Sequence, residues 1–321
     1  MLSSASRRDF LRALGIFGAA SLAGSFEPKR LFARAPLYPP MDLSHFDSPI
    51  PAAAAEIKFG YAAITWGGND RQAIADISAL GFRGIQLRSN CLTEFPSAAA
   101  LKDLLQQHEL LMVALSSGGV NIDAPEADEI AKHVSHAQFV RDVGGLYLQV
   151  TDDRPRNRAI TPADQKKLGR LLTEIGKRTA DFGIPLGYHN HMGSLGEHPE
   201  EVDEILHASD PRYAKLELDI AHYFQGGGDP VKAIENYRDR LLFLHFKDVE
   251  PLPPGSKSTY RFVELGRGRV DVPAALAALH RVNFRGWTIL ELDAAPDPAR
   301  TAKECAAINK AYLHDKLGVS L

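Results

Sequence analysis

The sequence is poor in cysteine: Cys91 and Cys305 are the two thiols among 321 residues. Two cysteines cannot form a disulfide framework, and no Cys-x-x-Cys pair is present to build a zinc ribbon. A bound metal would therefore need histidine and carboxylate ligands. The net charge is also small, -3, which excludes a protein that relies on a basic face to hold nucleic acid non-specifically.

Two further absences narrow the fold class. No Gly-x-Gly-x-x-Gly motif follows the first predicted strand, so the nucleotide-binding version of an open doubly wound sheet has no support. The N-terminal apolar stretch is too short and too rich in small residues for a comfortable membrane span. Apolar residues nevertheless make up 45% of the chain and charged residues 24%, which excludes a disordered or fibrous protein.

The N-terminal segment has the pattern of a twin-arginine export signal. Ser6–Arg12 (SRRDFLR) precedes an apolar stretch over Ala13–Ala23, and small-x-small sequences ending at Ala23 and Ala35 are both candidate cleavage sites. The proline-rich residues that follow are typical of a linker. We therefore predict a signal peptide at residues 1–35, a linker at 36–55, a periplasmic protein, and no stable membrane insertion after cleavage. The alternatives are an uncleaved membrane anchor and a basic amphipathic helix of a cytoplasmic protein.

From residue 56 onward, strand and helix patterns alternate with a period of about 30 residues, which is typical of parallel βα units. The eight predicted strands are Lys58–Thr65, Gly84–Leu87, Leu111–Leu115, Leu146–Val150, Pro185–Tyr188, Tyr213–Leu218, Leu241–Phe246 and Trp287–Leu290. Eight such units most economically close into a barrel. The prediction is an α/β protein with a (β/α)8 TIM barrel domain over residues 56–321, and an open doubly wound sheet is the alternative.

Potential metal ligands cluster where the later strands end. Reactive groups of such barrels come from the carboxyl ends of the strands, and neighbouring strands lie about 5 Å apart, so their side chains can converge on one ion. Imidazole and carboxylate ligands together favour a divalent ion such as Mn, Co, Zn or Mg. The imidazole and carboxylate side chains concerned are His189, His191, Asp219, His222, His245 and Glu291.

Strand six carries two carboxylates on one face, since Glu217 and Asp219 are two residues apart. Asp219 ends the strand and is the better ligand candidate. An aspartate in that position is more often a helix cap. The ligand interpretation is favoured because Asp219, His245 and Glu291 hold corresponding ends of successive strands.

These strand ends, with His245-x-Lys247-Asp248 and the segment Gly266–Asp271, resemble the xylose isomerase-like barrel superfamily over about residues 56–315. This superfamily contains sugar isomerases and epimerases, inosose dehydratases and endonuclease IV. The most specific segment is Tyr188–Gly193 (YHNHMG), which is similar to the inosose dehydratase and keto-sugar branch. The resemblance implies a metal at the ends of strands five to eight and chemistry at a carbon next to a carbonyl.

By that resemblance, Asp219, His245 and Glu291 match the family's ligands of the same types. Many members carry a glutamate on strand five, where this chain has His189. We predict a metal site made of His189, Asp219, His245 and Glu291, with His191 as the alternative to His189. Because only one of the family's paired glutamates is matched, the departure argues against a symmetrical two-glutamate epimerization.

The chemistry that such a site supports begins with proton abstraction. A divalent ion polarises a carbonyl and stabilises the enediolate that forms when a base removes the neighbouring proton. His189, His191 and Glu291 are the candidate bases, and Lys247 is an acid or electrophilic partner. We name Glu291, Lys247 and His191 as catalytic residues and His222, Trp66 and Gln149 as substrate-binding residues. The proline-containing segment Glu250–Arg269 is predicted to be a lid, with a plain surface insertion as the alternative.

The expected function is that of a metal-dependent isomerase or epimerase acting on a sugar or keto-sugar. The alternative is a lyase or hydratase acting on a 3-keto-glycoside or an inosose-like substrate, and a non-catalytic sugar-binding barrel is a remote third. Export and the near-neutral charge argue against a nuclease, so the expected partner is a small carbohydrate and not nucleic acid. Homo-oligomer formation is left open.

Overall fold

The computed structural model describes residues 56–321; the predicted export signal and linker lie outside these residues. The predicted barrel is confirmed, because eight parallel strands close in the spatial order β1-β10-β7-β6-β5-β4-β3-β2. Two more strands, β8 and β9, form a separate antiparallel hairpin. The strands are β1 Ile57–Ala62, β2 Gly84–Arg88, β3 Leu111–Val120, β4 Tyr147–Asp152, β5 Leu186–His189, β6 Ala214–Asp219, β7 Leu241–Phe246, β8 Asp248–Pro251, β9 Tyr260–Val263 and β10 Gly286–Leu290.

Helices follow the strands and form the outer layer. The helices are α1 Asp70–Ala79, α2 Cys91–Glu94, α3 Ala98–Gln107, α4 Glu126–Val143, α5 Pro162–Ala180, α6 Pro199–His207, α7 Ile220–Gln225, α8 Pro230–Asn236, α9 Val272–Arg281 and α10 Ala302–Leu317. Their starts follow from local chemistry: α5 begins with proline after Thr161, whose side chain forms a capping box with Asp164. Within residues 56–321, no helix combines the length and apolar character that a membrane crossing requires.

The barrel interior is filled by large apolar side chains below the strand ends. Phe243 shares a face with His245, and Trp287 and Ile289 alternate toward the same side as Glu291. Phe243, Trp287 and Ile289 pack in one buried cluster, while the larger apolar cluster lies between the strands and the helices. The packed interior leaves the polar strand ends as the floor of the barrel mouth.

The strand register aligns the candidate ligands across the barrel. His189 on β5 lies opposite Glu217 on β6, and Asp219 lies opposite His245 on β7. The backbone N–H of Glu291 donates to the carbonyl of Phe246 at 3.1 Å, which joins the end of β10 to that of β7. Parallel pairing therefore brings side chains far apart in the sequence to one level of the barrel.

Candidate active site

Four side chains converge at the carboxyl ends of β5, β6, β7 and β10. His189, Asp219, His245 and Glu291 are all buried, and one ligand atom from each lies within 4.8 Å of every other. Nδ1 of His245 is 3.6 Å from Asp219 Oδ2 and 3.4 Å from Glu291 Oε2. Ligands bound to one tetrahedral ion at about 2.1 Å are separated by about 3.4 Å, so the spacing fits a single ion.

Two of the candidate ligand atoms also lack a hydrogen-bond partner within residues 56–321. Among the described residues, Asp219 Oδ2 and His245 Nδ1 are buried atoms without a hydrogen-bond partner, and buried polar atoms are rarely left in that state. Two imidazoles and two carboxylates suit a divalent ion such as Zn, Mn or Co. The residues present therefore fit the group that the sequence predicts, and they include His189.

Asp219 is positioned both as a helix cap and as a metal ligand, the two roles considered for it from the sequence. Its Oδ1 accepts the backbone N–H groups of Ala221 and His222 at 2.8 and 2.9 Å, which caps α7, while Oδ2 faces the cluster. The Asn190 side chain holds the Asp219 backbone from β5, accepting its N–H at 3.0 Å and donating to its carbonyl at 3.2 Å. The carboxylate is thus fixed by the start of a helix and by the adjacent strand.

Glu217 lies beneath the cluster, and the sequence analysis gave it no role. Its Oε1 is 2.7 Å from Nε2 of His245, and its Oε2 is 3.5 Å from Nδ1 of His189. Gln86 Oε1 also lies 2.8 Å from the His245 Nε2. The Gln86 acceptor and the nearby Glu217 carboxylate keep a proton at Nε2, so Nδ1 is the nitrogen that would bind a metal after releasing its own proton. The alternation along β6 places Glu217 on this face in the sequence analysis. Its position beneath the ligand atoms follows only from the folded structure.

The charges in the cluster are set by burial and by close opposite charges. Burial lowers the pKa of His245, but Glu217 and Glu291 outweigh it and raise the pKa well above its ordinary value. Burial raises the pKa of Glu291, but His245 and Lys247 hold it well below its ordinary value. Burial, reinforced by His245, lowers the pKa of His189. At neutral pH Glu291 is therefore a carboxylate, His189 a neutral imidazole and His245 an imidazolium, which would lose its Nδ1 proton on binding a metal.

Lys247 is a buried cation beside the cluster. Its Nζ donates to Glu291 Oε1 at 2.9 Å and to Asp293 Oδ1 at 2.5 Å. Burial lowers the pKa of Lys247, but Glu291 and Asp293 raise it above the ordinary lysine value. Lys247 is therefore a hydrogen-bond donor and proton donor at neutral pH, not a base. The sequence analysis gave Asp293 no role, although it lies two residues after Glu291.

His191 and His222 lie beside the cluster with their rings 3.8 Å apart. Nδ1 of His191 donates to the carbonyl of Met192 at 2.7 Å, which leaves Nε2 as an acceptor. Nδ1 of His222 accepts the N–H of Met192 at 3.0 Å, and Nε2 lies 3.3 Å from Lys247 Nζ. Burial and the Lys247 charge lower the pKa of His222 well below its ordinary value. With His189, these two form a second group of close ligand atoms.

A cavity of about 290 Å³ opens above the cluster and is lined by Gln86, Arg88, Gln149, His191, His245 and Glu291, among others. Oε1 of Gln149 is buried there without a hydrogen-bond partner among the described residues, so it is available to a substrate hydroxyl. Of the predicted catalytic and substrate-binding residues, Trp66, His222 and Lys247 do not line this cavity, although Lys247 donates to Glu291 and Asp293, which do. The chain leaves the extended conformation after Ala62, and the Trp66 indole packs on Tyr61 and donates to Asp76 Oδ2 at 3.0 Å.

The predicted lid segment forms an ordered hairpin. Strands β8 and β9 pair from Asp248↔Val263 to Pro251↔Tyr260, and Asp248 accepts backbone N–H groups from the returning chain, including those of Gly266 and Gly268. Phe262 lies with its ring centre 4.0 Å from Lys247 Nζ and 4.7 Å from the His222 ring centre. The hairpin therefore covers this side of the cluster.

The chain belongs to the xylose isomerase-like TIM barrel family, whose pattern matches residues 74–311. A rhizopine catabolism protein, MocC, of Rhizobium meliloti is 28% identical over 282 residues, which cover 76% of this chain and 83% of that protein. An inosose dehydratase of Lacticaseibacillus casei is 24% identical over 300 residues, covering 82% of this chain and 98% of the relative. A crystal structure of an IOLI protein with a bound zinc atom superposes with a TM-score of 0.69 at 19% identity, covering 80% of this chain and 97% of that chain.

Proposed function

We propose that this protein is a divalent-metal-dependent lyase of the dehydratase type that acts on a keto-sugar or an inosose. It removes a proton next to a carbonyl and expels the substituent one carbon further on. The observation that carries the proposal is the convergence of His189, Asp219, His245 and Glu291 beside the buried Lys247. The inosose dehydratase named among the relatives, matched over 82% of this chain, supports elimination.

The proposal assigns the metal to the four converging side chains. A bound divalent ion supplies Lewis-acid polarisation of the substrate carbonyl. His245 is oriented for binding by Glu217 and Gln86, and Asp219 by its cap contacts with α7. Rigid ligands of this kind limit the reorganisation needed when charge develops on the substrate.

The remaining polar groups remove the substrate proton and assist departure of the leaving group. His191 has a free Nε2 and lines the cavity, so we assign it as the base. Lys247 is cationic and donates a hydrogen bond to the developing oxyanion or a proton to the departing hydroxyl. Gln149 accepts a substrate hydrogen bond through its unpartnered Oε1. Both ring nitrogens of His222 already contact Met192 and Lys247, so we assign His222 to positioning Lys247.

Elimination is favoured over the epimerization that the sequence first suggested. An epimerase must remove and return a proton at opposite faces of one carbon, and the carboxylate that many relatives use on strand five is His189 here. Elimination needs a base at one position and an acid at the leaving group, which His191 and Lys247 supply. An epimerase remains the second candidate, because Glu291 and the imidazoles surround one cavity.

Incubation with keto-sugars and inososes in D2O tests the proposal. The expected result is a metal-dependent loss of water or alcohol that gives an unsaturated ketone, identified by its ultraviolet absorption and mass. A product of unchanged mass except for one deuterium, with inverted configuration, would instead establish the epimerase. Neither exchange nor product in the metal-loaded protein would overturn the enzyme proposal and support a sugar-binding barrel.

We also propose that the protein is exported to the periplasm by the twin-arginine route. The support is the run Ser6–Arg12 followed by apolar residues, and export of a folded protein suits one that acquires its metal before crossing the membrane. Cell fractionation should find the protein in the periplasm. Replacing Arg7 and Arg8 together by lysine should retain it in the cytoplasm, and equal export of both forms would contradict the proposal.

A further inference from the structure

A second cavity adjoins the one above the metal cluster. It has a volume of about 540 Å³ and is lined by the last two residues of β4 and by residues that follow β4 and β5. Thr151 and His191 line both cavities, so the second continues the first. Ligand cavities usually measure about 300–1,000 Å³. The first cavity alone, at about 290 Å³, lies at the lower limit of that range and is matched to one sugar ring.

The wall of the second cavity is held in place by buried hydrogen bonds. Asp152 is buried and accepts the hydroxyl of Tyr188 at 2.8 Å and the N–H of Leu195 at 2.7 Å. Arg154 donates to the carbonyl of Ser194 at 3.0 Å. These contacts tie the chain after β4 to the chain after β5. The cavity is therefore formed before a ligand binds, which lowers the ordering cost of binding.

The lining of the second cavity is polar and carries both signs of charge. Asp153 and Arg156 are exposed at its edge, and the described residues offer Arg156 neither a hydrogen bond nor an ion pair. Donors and acceptors together match the hydroxyl groups of a neutral sugar. Among the residues that line this cavity, Met192 has the large apolar side chain. An aromatic or aliphatic ligand group would therefore bury little apolar surface there.

We propose that the second cavity binds a second sugar ring, and that the substrate is a keto-glycoside of two rings. The inference rests on the proposed function, since the reacting ring must lie beside the metal cluster. Elimination from such a substrate balances without a co-reactant. The base takes the proton next to the carbonyl, that electron pair forms the new C=C bond, and the glycosidic C–O bond breaks. The second ring leaves as an alcohol after its oxygen takes up a proton.

Binding measurements test the inference without requiring turnover. Calorimetry on the metal-loaded protein would compare an unoxidised disaccharide with the methyl glycoside of the same sugar, neither of which can eliminate because the carbonyl is absent, using wild type, Arg156→Ala and Asp153→Asn. The disaccharide should bind wild type at least about tenfold more tightly, and each substitution should remove most of that advantage, because charged hydrogen-bonding groups contribute on this scale. Affinity for the methyl glycoside should not change.

Arg178→Ala is the matched control, because Arg178 is an exposed arginine of α5 that does not line either cavity. It should leave both affinities unchanged. Equal affinity of wild type for the two ligands, or an equal effect of Arg156→Ala on both, would overturn the two-ring inference. Failure of the proposed function is separate, since it shows as absent deuterium exchange and absent elimination even when the disaccharide binds more tightly.

Discussion

Glu217 Oε1 lies 2.7 Å from Nε2 of His245, below the level at which the ligand atoms converge. The contact turns Nδ1 of His245 toward Asp219 and Glu291. The neighbouring strand β5 contributes an imidazole, His189, to the ligand cluster. Glu217 is therefore a buried carboxyl group beneath the ligands and not one of them. Burial raises the pKa of Glu217 to about 7.

Glu217→Gln should weaken metal binding about 10- to 100-fold, the usual cost of losing a carboxylate partner of a ligating histidine. Glutamine keeps the volume of the side chain, so thermal unfolding of the metal-free protein should change little. Competition with a chromogenic chelator measures the affinity. Wild-type affinity in the variant would show that Glu217 does not orient the ligand.

Lys247→Met should lower kcat about 100- to 1,000-fold, because the fixed cation beside the reacting atoms is lost. The pKa of Glu291 should also rise, since Lys247 is one of the charges that depress it. Steady-state kinetics across pH measures both effects, with metal content as the control. Turnover close to wild type in a metal-loaded variant would exclude the proposed donor role.

Phe262→Ala should expose Lys247 to water and reduce kcat about tenfold, because the ring lies 4.0 Å from Nζ and solvent screens an exposed charge. Ser256→Ala, at the exposed turn of the same hairpin, is the control and should retain wild-type kinetics. A reduction of similar size in both variants would point to general disturbance of the hairpin instead of shielding by Phe262.

The stability of the barrel should fall as pH decreases below about 6.5, in part because of His133. Burial, then the Lys132 and His136 charges, lower the pKa of His133 to about 3, whereas an unfolded histidine titrates near 6.5. Between these values the unfolded chain binds the extra proton, so the free energy of unfolding decreases as pH falls. The neutral form is held by Ser117 Oγ, 2.6 Å from Nδ1.

Urea unfolding at pH 7 and pH 5 measures this dependence. His133→Gln removes the titrating group, so the variant should lose less stability than wild type between the two pH values. His314→Gln, at a side chain that is 72% exposed, should lose as much as wild type. An identical loss in His133→Gln and wild type would contradict the assignment.

The barrel was predictable because each strand is a short apolar run followed by a helical pattern, and eight repeats have few ways to close. The site was partly predictable because carboxyl ends of parallel strands meet at one level. The position of Trp66 was not predictable, because the strand β1 ends at Ala62 and the turn that follows directs the indole toward Asp76. The strands of the β8–β9 hairpin were not predicted, since each is only four residues long and β8 ends in a proline.

The central claim is that His189, Asp219, His245 and Glu291 hold one divalent ion. Elemental analysis of the purified protein should find about one Mn, Co or Zn per chain. Asp219→Ala, His245→Ala and His189→Ala should lose it, whereas His191→Ala and Asp239→Ala, a substitution at an exposed side chain, should retain it. A folded wild-type protein that contains no metal and takes up none from an excess of these ions would contradict the account.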